Sequence, residues 1–159
     1  MFTSRWCDFE RLADITAKQI SAKSRFVHGT SHWKRVEGNG LHLSLRTGAD
    51  VMVVRLFAWF HDSRRQNESV DPGHGRRGAD YAATLRKQVF DLEEQAFEKL
   101  VFACTWHTDR ILSADPTIGT CWDADRLDLG RVGITPSSAF MSTALGKEIT
   151  QAGAFLGFI

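Results

Sequence analysis

Hydrophobic residues recur along most of this chain at the spacing of helical turns, and one segment is apolar almost throughout. Between about residues 8 and 22, Phe9, Leu12, Ile15 and Ile20 stand three to five positions apart among charges, which predicts an amphipathic helix. A second such pattern, over about 31–45, carries His32, Val36, Leu41, Leu43 and Leu45. Gly38 and Gly40 inside it predict a kink or a close approach by another helix. The run Val51-Met52-Val53-Val54-Arg55-Leu56-Phe57-Ala58-Trp59-Phe60 holds a single charge and reads as buried. Its length favours a helix over a buried strand, and Asp50 is placed to cap it.

Beyond this run, Ser63 to Gly75 reads as a loop, with Asn67, Asp71, Pro72 and Gly73 as turn formers. Helices are predicted over about 76–90 and 92–109. A second loop, Asp115-Pro116-Thr117-Ile118-Gly119, leads to Cys121-Trp122 and an acidic stretch at the start of another helix. After Pro136, the residues Phe140, Met141, Leu145, Ile149, Phe155 and Phe158 predict a last, glycine-interrupted helix. No repeat and no alternating strand pattern interrupts this series. The fold class expected is all-α, a compact bundle of about six or seven helices forming one domain over residues 1–159.

Composition narrows the function classes. Apolar residues make up 43% and charged ones 25%, the balance of a soluble globular domain with a full core. The formal net charge of +1 calls for neither a nucleic-acid polymer nor an anionic membrane as partner. No apolar stretch reaches the ~20 residues that span a bilayer. Three widely spaced cysteines, Cys7, Cys104 and Cys121, give neither a disulfide framework nor a paired zinc motif and fit a reducing cytosol. Arg5, Asp8, Glu10 and Arg11 stand where a secretory leader would need an apolar core, so the location expected is cytoplasmic. Nothing in the pattern specifies an oligomeric state.

The chemistry begins where the apolar run ends, at His61-Asp62. Burying an imidazole and a carboxylate without partners is costly, and a divalent cation satisfies both. Further donors of the same type lie before and after: His28 and His32 four residues apart, and Asp123, Asp125 and Asp128 within Asp123-Ala124-Asp125-Arg126-Leu127-Asp128. His74 and His107 fall between the pair and this acidic stretch. His42, flanked by leucines, has no such company. Arginines crowd the same segments: Arg64, Arg65, Arg76, Arg77, Arg126 and Arg131. Guanidinium groups match phosphate oxygens in paired geometry, so these form a candidate anion funnel, or else a solvated face paired with Glu68, Asp71, Asp80 and Asp128.

The order His, His-Asp, Asp resembles the HD superfamily of metal-dependent phosphohydrolases. The likeness runs from about residue 28 to 133, through His28-Gly29-Thr30-Ser31-His32-Trp33-Lys34-Arg35-Val36, Phe60-His61-Asp62-Ser63-Arg64-Arg65, Asp71-Pro72-Gly73-His74-Gly75 and the segment from Trp122 to Gly130. It implies an HD-type helical bundle. It also implies metal ligation by His32, the histidine shortly before Arg35-Val36, by His61 and Asp62, and by Asp125 of Ala124-Asp125-Arg126-Leu127. His28 then stands behind His32 or faces solvent, Asp123 is a cap, and Asp128 is a structural acid or one that supports a ligand. The resemblance permits a second metal held with His74 and His107; otherwise these two contact substrate phosphate or loop backbone.

The implied cofactor is one or two divalent ions, of Mn, Fe, Ni, Co, Zn or Mg. The implied activity is hydrolysis of a small phosphorylated metabolite, a nucleotide foremost, by metal-activated water. Asp62 is the carboxylate beside that water, and Arg64, Arg65 and Arg77 neutralise the phosphate. Related nucleotide-directed enzymes often place an acid a few positions after the pair. This chain has Ser63-Arg64-Arg65 there, and Glu68 is the nearest candidate base. The other reading is a metal-binding or nucleotide-sensing module on the same scaffold, without turnover.

Overall fold

The computed structural model describes residues 5–154. Seven α-helices follow one another: α1 Phe9–Lys18, α2 Thr30–Thr47, α3 Val51–Phe60, α4 His74–Leu85, α5 Glu94–Trp106, α6 Pro116–Arg126 and α7 Ala144–Ala152. Short 3-10 turns at Leu129–Val132 and Ser138–Phe140 join the last two. The all-α expectation holds, with one addition. Two-residue strands, β1 Trp6–Cys7 and β2 Phe90–Asp91, pair antiparallel and close the amino-terminal end against the bundle.

Helix α3 lies at the centre, as its composition requires. Val53, Leu56, Phe57 and Phe60 have no exposed surface, and neither do Trp33 and Leu43 of α2. Each such side chain contributes about 1.5–3 kcal/mol by leaving water. Asp50 caps α3 as expected, its carboxylate accepting from the amides of Met52 and Val53. Helices α2, α5 and α6 pack around α3, and α4 packs chiefly on α5. Gly40 lets α2 and α3 touch: a Cβ there would stand 2.3 Å from Val54 Cγ1. Gly40 therefore serves close approach, and the helix runs unbroken from Thr30 to Thr47. Buried polar ties fix the helix pairs. Asn39 Nδ2 donates to the Ala124 carbonyl at 3.0 Å, and Trp122 Nε1 to that of Ala103 at 3.0 Å.

Several boundaries differ from the sequence reading. Helix α1 ends at Lys18, well before residue 22. Helix α4 stops at Leu85 because Val89, Phe90 and Leu92 are all at most 2% exposed. Three large side chains so close in sequence cannot share one helical face, so the chain turns through Lys87 (φ 68°) to bury them. Pro116 to Gly119 is the first turn of α6, not a loop. Asp115 caps it by accepting from the amides of Thr117 and Ile118, and Pro116 at the first helical position loses no hydrogen bond. The helix predicted from Pro136 onward is confined to α7, and Phe155 and Phe158 lie outside the described residues. No described helix is long and apolar enough to cross a membrane.

Candidate metal centre

Six donor side chains from five segments meet in the core between α2, α3, α4, α5 and α6. The carboxyl end of α3 supplies His61, with Asp62 next to it. His32 comes from the first turn of α2, His74 opens α4, His107 follows the last turn of α5, and Asp125 lies in the last turn of α6. His32 Nε2 stands 3.1 Å from His61 Nε2, 3.2 Å from Asp125 Oδ1 and 3.5 Å from Asp62 Oδ2. His61 Nε2 is 3.6 Å from both carboxylates. Ligands at about 2.0–2.2 Å from a transition ion stand about 3.0–3.5 Å from one another, and His32, His61 and Asp62 form a group that could hold such an ion, with Asp125 beside the two histidines.

The other oxygen of Asp62 faces a second set. Asp62 Oδ1 lies 3.1 Å from His74 Nε2 and 3.6 Å from His107 Nε2, and these nitrogens are 3.0 Å apart. The two His/Asp groups can each hold a metal ion, and Asp62 is common to both.

Tautomers decide what these contacts mean. His61 Nδ1 donates to the carbonyls of Phe57 and Ala58, His74 Nδ1 to that of Asp71, and His107 Nδ1 to that of Cys104. A carbonyl oxygen only accepts, so Nδ1 carries the hydrogen in all three rings and Nε2 presents its lone pair inward. His32 Nδ1 donates in the same way to Asp128 Oδ2 at 2.7 Å. Held this way without a proton on Nε2, the rings bring lone pairs against lone pairs and carboxylate oxygens. Asp62 Oδ1 and Asp125 Oδ1 are buried with no hydrogen-bond partner. Such a site is stable only around positive charge. Burial opposes charging of His32, yet its hydrogen bonds to Asp125, Asp128 and Asp62 outweigh this and raise the imidazole to about 10. Burial likewise works against ionisation of Asp62 and Asp125, but the surrounding imidazoles hold both well below the usual carboxylate range. A proton on His32 and a cation compete for the same lone pair.

Supporting groups are fixed with equal care. Asp128 bonds His32 through one oxygen and Arg35 Nε through the other at 2.7 Å, so it orients the ring and makes it more basic. Asp128→Ala is expected to weaken metal binding about 10–100-fold while every direct ligand remains; competition against a fluorescent chelator measures this, and unchanged affinity would deny Asp128 that role. Gly75 matters by its lack of a side chain: a Cβ would lie 2.1 Å from the Cys104 carbonyl that holds His107. Asp123, expected as a cap, accepts from the amides of Ser142 and Thr143 and ties α6 to the start of α7. His28 sits edge-on to His32, with ring centroids 6.4 Å apart, and burial pushes its imidazole down to about 4. His42 is exposed.

The proposed base and the arginine funnel look different in three dimensions. Glu68 is not gathered with the ligands: its Oε1 accepts from the amides of Val27 at 2.6 Å and His28 at 3.3 Å, which clips two loops together. Arg64 turns away to Gln19 Oε1 and the Tyr81 ring, and Arg76 pairs with Asp80 on the surface. Arg77 braces the loop through Asp71 and the carbonyls of Arg64 and Pro72. Two arginines do border the cluster. Arg65 Nη1 lies 3.2 Å from His74 Nε2 and 3.8 Å from Asp62 Oδ1, and Arg131 Nη2 lies 3.8 Å from Asp125 Oδ1. Sequence alone does not separate these from their neighbours, because the direction each guanidinium takes depends on the packing of the loop after Asp62 and of the first turn of α4.

A cavity of about 380 Å³ opens against Asp125 and His107. Another, of about 280 Å³ beside Arg46, Asp115 and Thr143, includes none of the six donors.

The core of this helical bundle gathers four histidines and two aspartates that could hold a metal ion. Comparison with known proteins gives it a family likeness. The crystal structure of a predicted HD superfamily hydrolase from an uncultured Thermotogales bacterium superimposes with a TM-score of 0.70 at 25% identity, covering 90% of this chain and 83% of its own. The fold is thus of HD type, in agreement with the motif resemblance. No family model and no curated protein matches the chain.

Proposed function

We propose that the protein is a metal-dependent phosphohydrolase acting on a small phosphorylated metabolite. The observation that carries this reading is the buried double cluster, in which Asp62 turns one oxygen to His32 and His61 and the other to His74 and His107. The hydrolase named in the matched structure's description supports it. Mixed imidazole and carboxylate donors suit Mn, Fe, Co, Ni or Zn and bind Mg less tightly. His32, His61, Asp62 and Asp125 would hold one ion, and Asp62, His74 and His107 a second. When bound, the ions supply a Lewis acid that brings the pKa of water toward neutrality and polarises a phosphoryl oxygen.

The chain's own groups do the rest. Asp62 and Asp125 stay ionised and present acceptor oxygens to the attacking water. Arg65 and Arg131, braced by backbone carbonyls at Asn67, Val27 and Asp128, stand where charge on a transferring phosphoryl group needs neutralising. The engagement of Glu68 with backbone amides leaves it a positioning role and favours activation of water by the metal over a separate carboxylate base.

The test is a screen of metal-reconstituted protein against phosphorylated metabolites, with phosphate release as the readout. Turnover is expected with Mn or Co, is abolished by a chelator and returns when the ion is added back. Binding of nucleotides by calorimetry, with no product under any of the six metals, would instead establish a sensing module without turnover.

A further inference from the structure

Helix α5 has two faces, and the bundle accounts for one of them. Ala96, Leu100, Ala103 and Cys104 are at most 6% exposed and pack inward. On the outer face Phe102 and Trp106 stand one turn apart, 37% and 36% exposed. The helical path continues past Trp106: His107 keeps helical angles, and the Arg110 amide donates to the Trp106 carbonyl at 3.0 Å. Glu98, Phe102, Trp106 and Arg110, four residues apart, therefore form one ridge on the outside of the molecule. Arg110 lies along that ridge, its guanidinium 5.2 Å from the Trp106 ring centre and 5.8 Å from that of Phe102. Paired exposed aromatics of this kind mark a binding surface when charges of defined order flank them.

The order of these residues is self-complementary. A two-fold axis crossing the ridge midway between Phe102 and Trp106 turns the helix end for end, so each residue meets the one equally far from position 104. Phe102 then meets the partner's Trp106, and Glu98 meets the partner's Arg110. By the same operation Lys99 meets the partner's Asp109. Aromatic faces aromatic at the centre, and acid faces base on both flanks. Exchange of any one of these charges would set like against like. Glu98, Asp109 and Arg110 are exposed and have no ion pair among the described residues, while Lys99 reaches Asp115 at 2.8 Å and keeps further N–H donors. Ridges of four-residue spacing pack into one another at about 50°, the commonest crossing of packed helices.

We propose that the outer face of α5 binds a second copy of this chain in an antiparallel, two-fold arrangement, with Phe102 and Trp106 at its centre and Glu98–Arg110 pairs at its rim. Two half-exposed aromatics per chain make a small core, so the dimer is a weak one and its rim is screened by salt. None of these residues is a metal donor, and the surface stands independently of the phosphohydrolase reading. Arg110 also borders the cavity at Asp125 and His107, so the contact lies next to that cavity.

Sedimentation equilibrium of the full chain over about 1–500 μM reads the monomer–dimer constant. The wild type is expected to dimerise within this range. Glu98→Arg and Arg110→Glu each set like charges together twice per dimer and weaken it by about tenfold or more. The double variant, Glu98→Arg with Arg110→Glu, restores both pairs and returns the constant to near that of the wild type. Mixing the two single variants is the most specific arm. One chain then carries two arginines at the rim positions and the other two glutamates, so each prefers the other to itself. General loss of structure produces neither the rescue nor this preference. Trp106→Ala also weakens the dimer, with circular dichroism confirming that the helices remain. A wild type that stays monomeric throughout overturns the proposal. So does a dimer that neither charge reversal moves, because its interface would lie elsewhere. Failure of both the double variant and the mixture to restore pairing overturns the two-fold register.

Discussion

Asp62→Ala is expected to strip the protein of bound metal and lower turnover by about 10³-fold or more, several kcal/mol of Lewis-acid stabilisation being lost at once. No other donor has this leverage, because Asp62 is the one side chain shared by both sets, 3.5 Å from His32 Nε2 on one side and 3.1 Å from His74 Nε2 on the other. Alanine removes two ligand oxygens and leaves the imidazoles facing one another without the carboxylate that binds them together. Metal analysis after gel filtration and the phosphate-release assay check the two effects separately. Retention of the full metal content by Asp62→Ala would mean that the ions sit elsewhere and would overturn the double-cluster reading. A fall in turnover with metal retained would confine Asp62 to the chemistry.

His74→Ala and His107→Ala are each expected to lower the metal content from two ions per chain to one and to reduce turnover sharply. The remaining ion stays on His32, His61, Asp62 and Asp125. The two positions are unequal by construction. The first has four donors, whereas the second has three and a guanidinium only 3.2 Å from His74 Nε2, whose charge opposes a second cation. The second ion is therefore the weaker and the first to leave on titration with a chelator. Arg65→Ala should tighten it while impairing substrate binding, a pair of opposite effects that simple loss of structure does not produce. If neither histidine substitution changes the metal content, the second ion is absent. Arg65 itself then supplies the positive charge at that position, and His74 and His107 act on the substrate.

Much of the scaffold was legible because helices report themselves locally. Apolar residues three and four positions apart mark a buried face, and Asp50 before the run Val51–Phe60 marks a start. The errors arose where distant contacts override local preference. Residues 86–92 have no glycine or proline to signal a break, yet the chain leaves helix there because Val89, Phe90 and Leu92 all find room in the core. Pro116 and Gly119 read as breakers, but a proline in the first turn is compatible with a helix once Asp115 caps it.

At the candidate site, the helical class, the buried position of His61-Asp62 and the kinds of donor available are legible from the residues alone. Those follow from composition and spacing along one strand of chain. Long-range packing is what makes His74 and His107 face Asp62 together, sets Asp128 behind His32 across 96 positions, and holds Glu68 on backbone amides 40 and 41 residues away. It also separated Arg65 and Arg131, which border the metal centre, from Arg64, Arg76 and Arg77, which brace loops or face solvent. Periodicity tells which face of an element is buried, because that depends on a residue and its near neighbours. The partner that a buried lone pair or a guanidinium finds depends on how helices cross, and that information is spread over the whole core.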